Sequence, residues 1–343
     1  MARELMSRRP DALVTFAGTA RGIEAKVIPS EGFPLDVIRS GGLKGKSLRD
    51  RARGAALVPL GLLDAWRLVS ARRPHLVIGV GGYSSGPVVL VAALRQVPTM
   101  LLEQNAVPGL TNRLLAPFVR AAAVTFDSTR AFFGAKALVT GNPVRPELLS
   151  AVTTPKRGPE REAGVVKVLV FGGSQGAHAI NVAMSEAAAA LAASQPMLHV
   201  THQTGERDVD MVRSAYARSG LSADVHPFLY DMGRRLAEAD LLVCRSGATT
   251  LAEVTASGKA AILIPLPAAT DDHQRRNAES LASVGAAEVL LQRDLTGPEL
   301  ARRVCGLVKD PDARARMAAA ARTLARPEAA RVIVDRALEL TGA

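Results

Sequence analysis

A chain of 343 residues is too long for one typical core and suits two domains. Its hydrophobic share of 48% includes only 3% aromatic residues, which fits interiors of parallel strands and Ala-rich helices and argues against base stacking on single-stranded nucleic acid. The formal net charge of +11 calls for an anionic partner, and two cysteines without metal-ligand spacing fit a reducing cytoplasm.

No apolar run reaches the ~18 residues of a membrane span, and the first ten residues lack the apolar core of a signal peptide, so any membrane contact is expected to be peripheral. The chain opens on a helix-like segment, Ala2 to Arg9, with no strand and glycine turn ahead of it. A helix in a parallel sheet is normally the crossover from a preceding strand, so one βα unit is expected to lack its beginning. Strand-like and helix-like segments then alternate: a strand at Leu13 to Phe16, a short helix at Thr19 to Ile28, and a buried strand at Leu76 to Val80. The loop Gly81-Gly82-Tyr83-Ser84-Ser85-Gly86-Pro87 leads into an apolar helix ending at Leu94. A strand from Thr99 to Leu102 exits through Glu103-Gln104-Asn105, at the carboxyl end where open α/β sheets bind ligands.

Thr153 to Glu162, polar and proline-bearing, reads as a linker. A second alternating series starts with the buried strand Val165 to Phe171 and the turn Gly172-Gly173-Ser174-Gln175-Gly176-Ala177. That turn lacks the G-x-G-x-x-G spacing of a dinucleotide site; its glycines serve either a tight turn or close approach of backbone to a ligand. Further strands are expected at His199 to His202, Ala223 to Val225, Leu241 to Cys244, Ala260 to Ile264 and Glu288 to Leu291, and helices at Arg314 to Leu324 and Ala329 to Leu340. Two such halves are expected to face a cleft.

The stretch Asp240 to Glu253 organises the chemistry. An apolar run ends at Arg245, Ser246-Gly247 makes a turn, and Ala248-Thr249-Thr250-Leu251-Ala252 opens a helix with Glu253 inside it. The first N–H groups of a helix lack intrahelical acceptors and sit at the positive end of its dipole, so a diphosphate can be held there, with Glu253 placed for a ribose diol. The alternative is an ordinary strand-to-helix connection. Arg145, beside a proline turn, suits either a phosphate or a salt bridge, and Thr270 to Ala278 concentrates the polar groups that sugar hydroxyls require. Asp208-Val209-Asp210 has the D-x-D form of a metal-holding pair, but its charged surroundings read as a solvated helical face away from any strand end. Cys244 reads as core, and His75, His199 and His202 as structural residues.

A basic and apolar segment lies between Gly41 and Pro74. Lys44, Lys46, Arg49, Arg51 and Arg53 precede Leu57, Val58, Leu60, Leu62, Leu63 and Trp66, followed by Arg67, Arg72 and Arg73. It suits an anionic leaflet, or else a packed helix with a basic outer face.

Taken in order, Gly81 to Pro87, Glu103-Gln104-Asn105, Gly141-Asn142-Pro143-Val144-Arg145, Gly172 to Ala177, Cys244 to Ala248 and Asp272-His273-Gln274-x-x-Asn277-Ala278 resemble the motifs of the MurG family over nearly the whole chain. MurG enzymes are N-acetylglucosaminyltransferases that convert lipid I to lipid II in peptidoglycan synthesis. The resemblance implies a GT-B fold of class α/β, with two Rossmann-like doubly wound domains: 1–150 for the lipid acceptor and 151–326 for UDP-GlcNAc, with helix 327–343 packing back on the first. It implies donor contacts from Asn105 and Arg145 reaching out of the first domain, and Ser174 at the diphosphate. The Leu229 backbone would read uracil, Ala248, Thr249, Thr250, Leu251 and Ala252 would meet the phosphates, Glu253 the ribose, and His273 and Gln274 the GlcNAc hydroxyls. Gly81, Gly82, Tyr83, Ser84, Ser85 and Gly86 would take the acceptor's diphosphate.

The family's first strand and glycine loop, which carries the histidine favoured as general base, have no counterpart here, so no catalytic base is assigned. The resemblance implies no metal or cofactor and no nucleic acid. It implies UDP-GlcNAc, undecaprenyl-linked lipid I and the anionic cytoplasmic face of the inner membrane as partners, and it leaves room for cell-wall or division proteins. A binding protein without transferase activity and a UDP-GlcNAc 2-epimerase stand as alternatives.

Overall fold

The computed structural model describes residues 1–20, 22, 24–41, 48–153, 164–194, 197–267 and 269–342, with backbone alone for 48–56, 153 and 270. The expected linker lies outside these residues beyond Thr153, as do Lys44 and Lys46. The chain divides into two compact units, Met1–Gly141 with Glu328–Ala343, and Asn142–Pro327.

The first unit contains α1 (Ala2–Arg8), β1 (Phe16–Gly18), α2 (Glu24–Ser30), β2 (Leu35–Val37), α3 (Leu48–Arg72), β3 (Val77–Gly79), α4 (Ser85–Leu94) and β4 (Thr99–Glu103). It continues with α5 (Leu110–Leu115), β5 (Ala121–Val124), α6 (Asp127–Phe133) and β6 (Ala137–Val139). Strands β3-β4-β5-β6 form one parallel sheet and β1-β2 a separate parallel pair. Ala17 of β1 and Val77 of β3 pack against the same cluster of Val88, Val91 and Ala92 on α4 with Ala65 and Val69 on α3. The first strand starts later than expected because pairing begins at Phe16 opposite Leu35, leaving Leu13 exposed. The helix after it also starts later, at Glu24, whose Oε1 accepts from both the N–H and the hydroxyl of Thr19 (3.0 and 2.9 Å).

The second unit contains α7 (Pro146–Thr153), β7 (Val166–Phe171), α8 (His178–Ala192), β8 (Leu198–Gln203), α9 (Val209–Ser219), β9 (Ala223–His226), α10 (Met232–Glu238) and β10 (Leu241–Cys244). It continues with α11 (Ala248–Ser257), β11 (Ala260–Leu263), α12 (His273–Ala282), β12 (Glu288–Val289), α13 (Gly297–Lys309) and α14 (Pro311–Thr323). Its sheet is six-stranded and parallel, in the order β9-β8-β7-β10-β11-β12. Val166, Val168 and Val170 alternate onto one face and bury against Ile180, Met184 and Ala187 of α8 and Leu300 and Val304 of α13. The chain ends in α15 (Ala329–Thr341), whose Ile333 and Leu340 join Met100, Leu102, Ala121 and Ala123 of the first unit. Arg8 on α1 also reaches Asp335 on α15 at 2.6 Å.

Candidate active site

In the second unit the winding starts at β7, runs outward to β9, and returns to β10 on the other side of β7. A doubly wound sheet opens a crevice outside its strand carboxyl ends at such a reversal, here between β7 and β10. Phe171 pairs with Cys244, so the two strands end level and release Gly172–Ala177 and Arg245–Gly247 side by side. Gly247 is the N-cap of α11, and no side chain caps that helix. The amides that open α11 therefore face the crevice as donors.

The turn before α11 is held from below. Ser246 Oγ donates to the Gln274 carbonyl (2.8 Å) and Asn277 Nδ2 to the Ser246 carbonyl (3.3 Å), which brings His273 and Gln274 at the start of α12 beside α11. Gln274 Oε1 in turn accepts from Leu266 N (3.0 Å). Asp271 and Asp272 both have φ of +55°, a left-handed conformation unfavourable for a side chain with a Cβ. This turn leads directly into α12, whose first residue is His273.

Glu253 is buried, and its Oε1 accepts a hydrogen bond from Arg145 Nε (2.8 Å) and forms an ion pair with Nη2 at 2.7 Å. Burial pushes the Glu253 carboxyl above its ordinary range, while the Arg145 charge and hydrogen bonds act in the opposite direction. Arg145 was expected to reach in from the first domain; it belongs to the second unit, directly ahead of α7. The cause is packing: α7 lies tightly on α10, where the missing side chain of Gly233 lets the Leu148 backbone come within 3.2 Å of the position a Cβ would take.

On the other side of the crevice two glycine turns interlock. A Cβ on Gly176 would stand 1.7 Å from the Thr204 carbonyl oxygen, and one on Gly205 would stand 2.1 Å from that of Gln175. A buried polar chain holds this contact. Asn181 Nδ2 donates to the Thr204 carbonyl and to Asp208 Oδ2, both at 2.8 Å, so its Oδ1 is the acceptor for His202 Nε2 (3.1 Å). His202 Nδ1 then accepts from the Tyr216 hydroxyl (2.7 Å), and burial pushes the imidazole down to about 3, keeping it neutral. Asp208 completes the chain by accepting from His178 Nδ1 at 2.9 Å.

Asp208 corrects the solvated-face reading of its D-x-D pattern. It is buried at 6% exposure just after β8, and although burial opposes its charge, the bonds from Asn181, His178 and Arg207 hold its carboxyl below the usual range. Asp210 remains on the exposed face. With its oxygens bonded to these three side chains, Asp208 holds the turn together.

In the first unit the loop Gly81–Gly86 and the loop after β4 lie together at the strand ends. Gly81 and Gly82 have φ of +87° and +80°. Buried Glu103 accepts from the Asn105 and Gly109 backbone N–H groups (both 3.0 Å) and from Asn112 Nδ2 (2.8 Å), and that amide lies 4.0 Å from where a Gly81 Cβ would be. Ser40 Oγ donates to the Tyr83 carbonyl at 2.8 Å.

The two halves match the N-terminal domain of glycosyltransferase family 28 over residues 1–124 and the C-terminal domain of the same family over 167–333. The chain is 46% identical over 341 residues to the UDP-N-acetylglucosamine--N-acetylmuramyl-(pentapeptide) pyrophosphoryl-undecaprenol N-acetylglucosamine transferase of Anaeromyxobacter sp. (strain K), covering 99% of this chain and 88% of the relative. It belongs to the MurG family. The crystal structure of Acinetobacter baumannii MurG superposes with a TM-score of 0.80 at 29% identity, over 98% of this chain and 95% of that one. The GT-B class expected from the motifs is thereby established. The UDP-GlcNAc 2-epimerase of Neisseria meningitidis also superposes, with a TM-score of 0.67 over 98% of this chain and 95% of the other, but at 12% identity that likeness concerns the fold alone.

Within this MurG family member, three side chains at the crevice had no role in the sequence reading. Buried Arg245 donates to the Ile264 and Pro265 carbonyls (3.0 and 3.1 Å) and to Gln292 Oε1 (2.7 Å), tying the exits of β10 and β11 together. A cation closing an apolar run was the available signal. Asn142 Nδ2 reaches Thr249 Oγ1 at 3.5 Å, and Gln203 bonds to both the Gly173 carbonyl and the Leu229 N–H. No local pattern singled out either. Cys244 is buried and its thiol is pushed up by burial, in keeping with a core role.

Proposed function

We propose that this chain moves N-acetylglucosamine from UDP-GlcNAc to the 4-hydroxyl of the MurNAc unit in undecaprenyl-diphospho-MurNAc-pentapeptide, with inversion at C1. The observation that carries the reading is the strand order of the second unit, which sets the Gly172–Ala177 turn beside the uncapped start of α11. In the transfer the acceptor oxygen bonds to C1 as the C1–O bond to UDP breaks, and the hydroxyl proton leaves to a base. The amides of Ala248, Thr249 and Thr250 meet the charge growing on the diphosphate, joined by Leu251 and Ala252 behind them and by Ser174 from the facing turn. Glu253 takes the ribose hydroxyls, the Leu229 backbone the uracil, and Arg145, His273 and Gln274 the phosphate and sugar. In the first unit Asn105 takes a sugar hydroxyl and Gly81 to Gly86 the acceptor's diphosphate.

The same reading puts the first unit against the anionic cytoplasmic leaflet of the inner membrane. On α3, Leu63 and Trp66 are exposed, and Arg95 from the end of α4 lies 4.9 Å above the Trp66 ring next to exposed Leu94. Arg72 is committed to Asp36 and Arg39 to Asp64, whereas exposed Arg67, Arg73 and Arg95 supply charge to this patch. No described helix is long and apolar enough to cross a membrane.

One assay with two acceptors tests both statements. The chain is expected to transfer labelled GlcNAc to lipid I in anionic vesicles and to a short-chain soluble analogue. Trp66→Glu is expected to lower the vesicle rate about tenfold, through lost burial and added repulsion, and to spare the soluble one. No transfer to either acceptor, or formation of UDP-ManNAc instead, contradicts the transferase reading; equal rates for Trp66→Glu and wild type on vesicles contradict the membrane reading.

A further inference from the structure

Gln203, the last residue of β8, is 2% exposed and spans two loops of the crevice. Its Oε1 accepts from the Leu229 N–H at 2.9 Å, and its Nε2 donates to the Gly173 carbonyl at 2.7 Å. Both partners are backbone groups, so the amide has one satisfactory orientation; a flip would set oxygen against oxygen and N–H against N–H. Gly173 has φ of +104°, and its carbonyl also accepts from Gly176 N (3.0 Å), so Gln203 fixes the hinge of the Gly172–Ala177 turn. At its other end it fixes Leu229, flanked by Phe228 and Tyr230, whose rings meet edge to face at 4.9 Å with Tyr230 94% exposed.

We infer that Gln203 is a positioning residue for base selection: it joins the base-reading segment at Leu229 to the diphosphate turn at Gly173, so that uracil and diphosphate are bound as one unit. This deepens the donor-site reading of the preceding subsection and rests on it. With the Leu229 N–H engaged by Gln203, the Leu229 carbonyl is the group left to face the base, and among the described residues no donor reaches it. A carbonyl accepts from the N3–H of uracil. Cytosine carries a bare N3 with no hydrogen, so the same carbonyl meets a lone pair and repels it. Gln203 thereby fixes the atom that tells the two pyrimidines apart.

Titration calorimetry with UDP, CDP and uridine against wild type, Gln203→Leu and Gln203→Glu tests this. Wild type is expected to prefer UDP over CDP by at least about tenfold. Failure of wild type to bind UDP overturns the donor-site reading itself, separately from the role of Gln203. Gln203→Leu is expected to weaken UDP about tenfold while leaving CDP nearly unchanged, so the preference collapses. Gln203→Glu keeps the acceptor for Leu229 but loses the donor to Gly173; it is expected to keep uridine affinity and the base preference while UDP loses much of its advantage over uridine. Equal weakening of UDP and CDP by Gln203→Leu, as a loss of fold alone would give, overturns the inference, and so does an unchanged UDP affinity.

Discussion

Glu253→Ala is expected to weaken UDP binding by about 10- to 100-fold, the range for losing one or two hydrogen bonds to a charged group. The carboxylate is buried, and the Arg145 guanidinium lies against one of its oxygens, Oε1, with a hydrogen bond from Nε and an ion-pair contact from Nη2. Among the described residues no hydrogen bond reaches Oε2, so on the proposed donor reading a ribose diol would meet an acceptor already oriented by Arg145. The comparison that isolates this contact is UDP against 2′-deoxy-UDP in calorimetry: wild type separates the two, and Glu253→Ala binds both alike. If the variant keeps the full difference, the ribose is read elsewhere. Arg145→Ala gives a related result with a pH signature. Without the guanidinium, burial acts unopposed and raises the Glu253 carboxyl further, so UDP affinity falls away at a higher pH than in wild type as the solution is acidified.

Gly176→Ala is expected to cost about 3 kcal/mol or more of stability and to abolish donor binding. Two penalties coincide at this residue. Its φ is +74°, and the added carbon would stand 1.7 Å from the Thr204 oxygen and 2.4 Å from its carbonyl carbon, both backbone atoms. Backbone cannot swing aside as a flexible side chain can, and Thr204 is anchored further by Asn181. Gly173→Ala is the control: φ is +104° but nothing lies within 4 Å, so only conformational strain of about 1–2 kcal/mol is added. Urea unfolding of the two variants, followed by UDP binding at native conditions, measures both penalties. Similar midpoints for the two would contradict the interlocked turns.

Much of this site was legible because its residues are local punctuation. The apolar run at Leu241–Cys244 ends at a charged residue and a Ser-Gly turn, and the strand ends at that boundary. What pattern could not supply was long-range placement. Ala121–Val124 is a fully buried central strand, yet three alanines favour a helix; pairing with β4 and β6 decides its form. Asp208 sits in a charged stretch that looks solvated, and is drawn inside by His178 and Asn181 from another helix. Arg145 follows a proline turn that reads as the end of the first half, whereas the fit of Leu148 against Gly233 assigns it to the second. Gln203 has no local signature at all, since its partners lie 26 and 30 residues away. The strand order of the second unit is likewise a property of the sheet and of no single segment, and it is what turns scattered loops into one crevice.

Hydrogen exchange with and without UDP-GlcNAc tests the central claim most directly. Slowed exchange confined to the amides of 246–254, 172–177 and 226–231 is the predicted result, strongest at Ala248 to Thr250. Unchanged exchange at the start of α11 while the sugar nucleotide is demonstrably bound would contradict it.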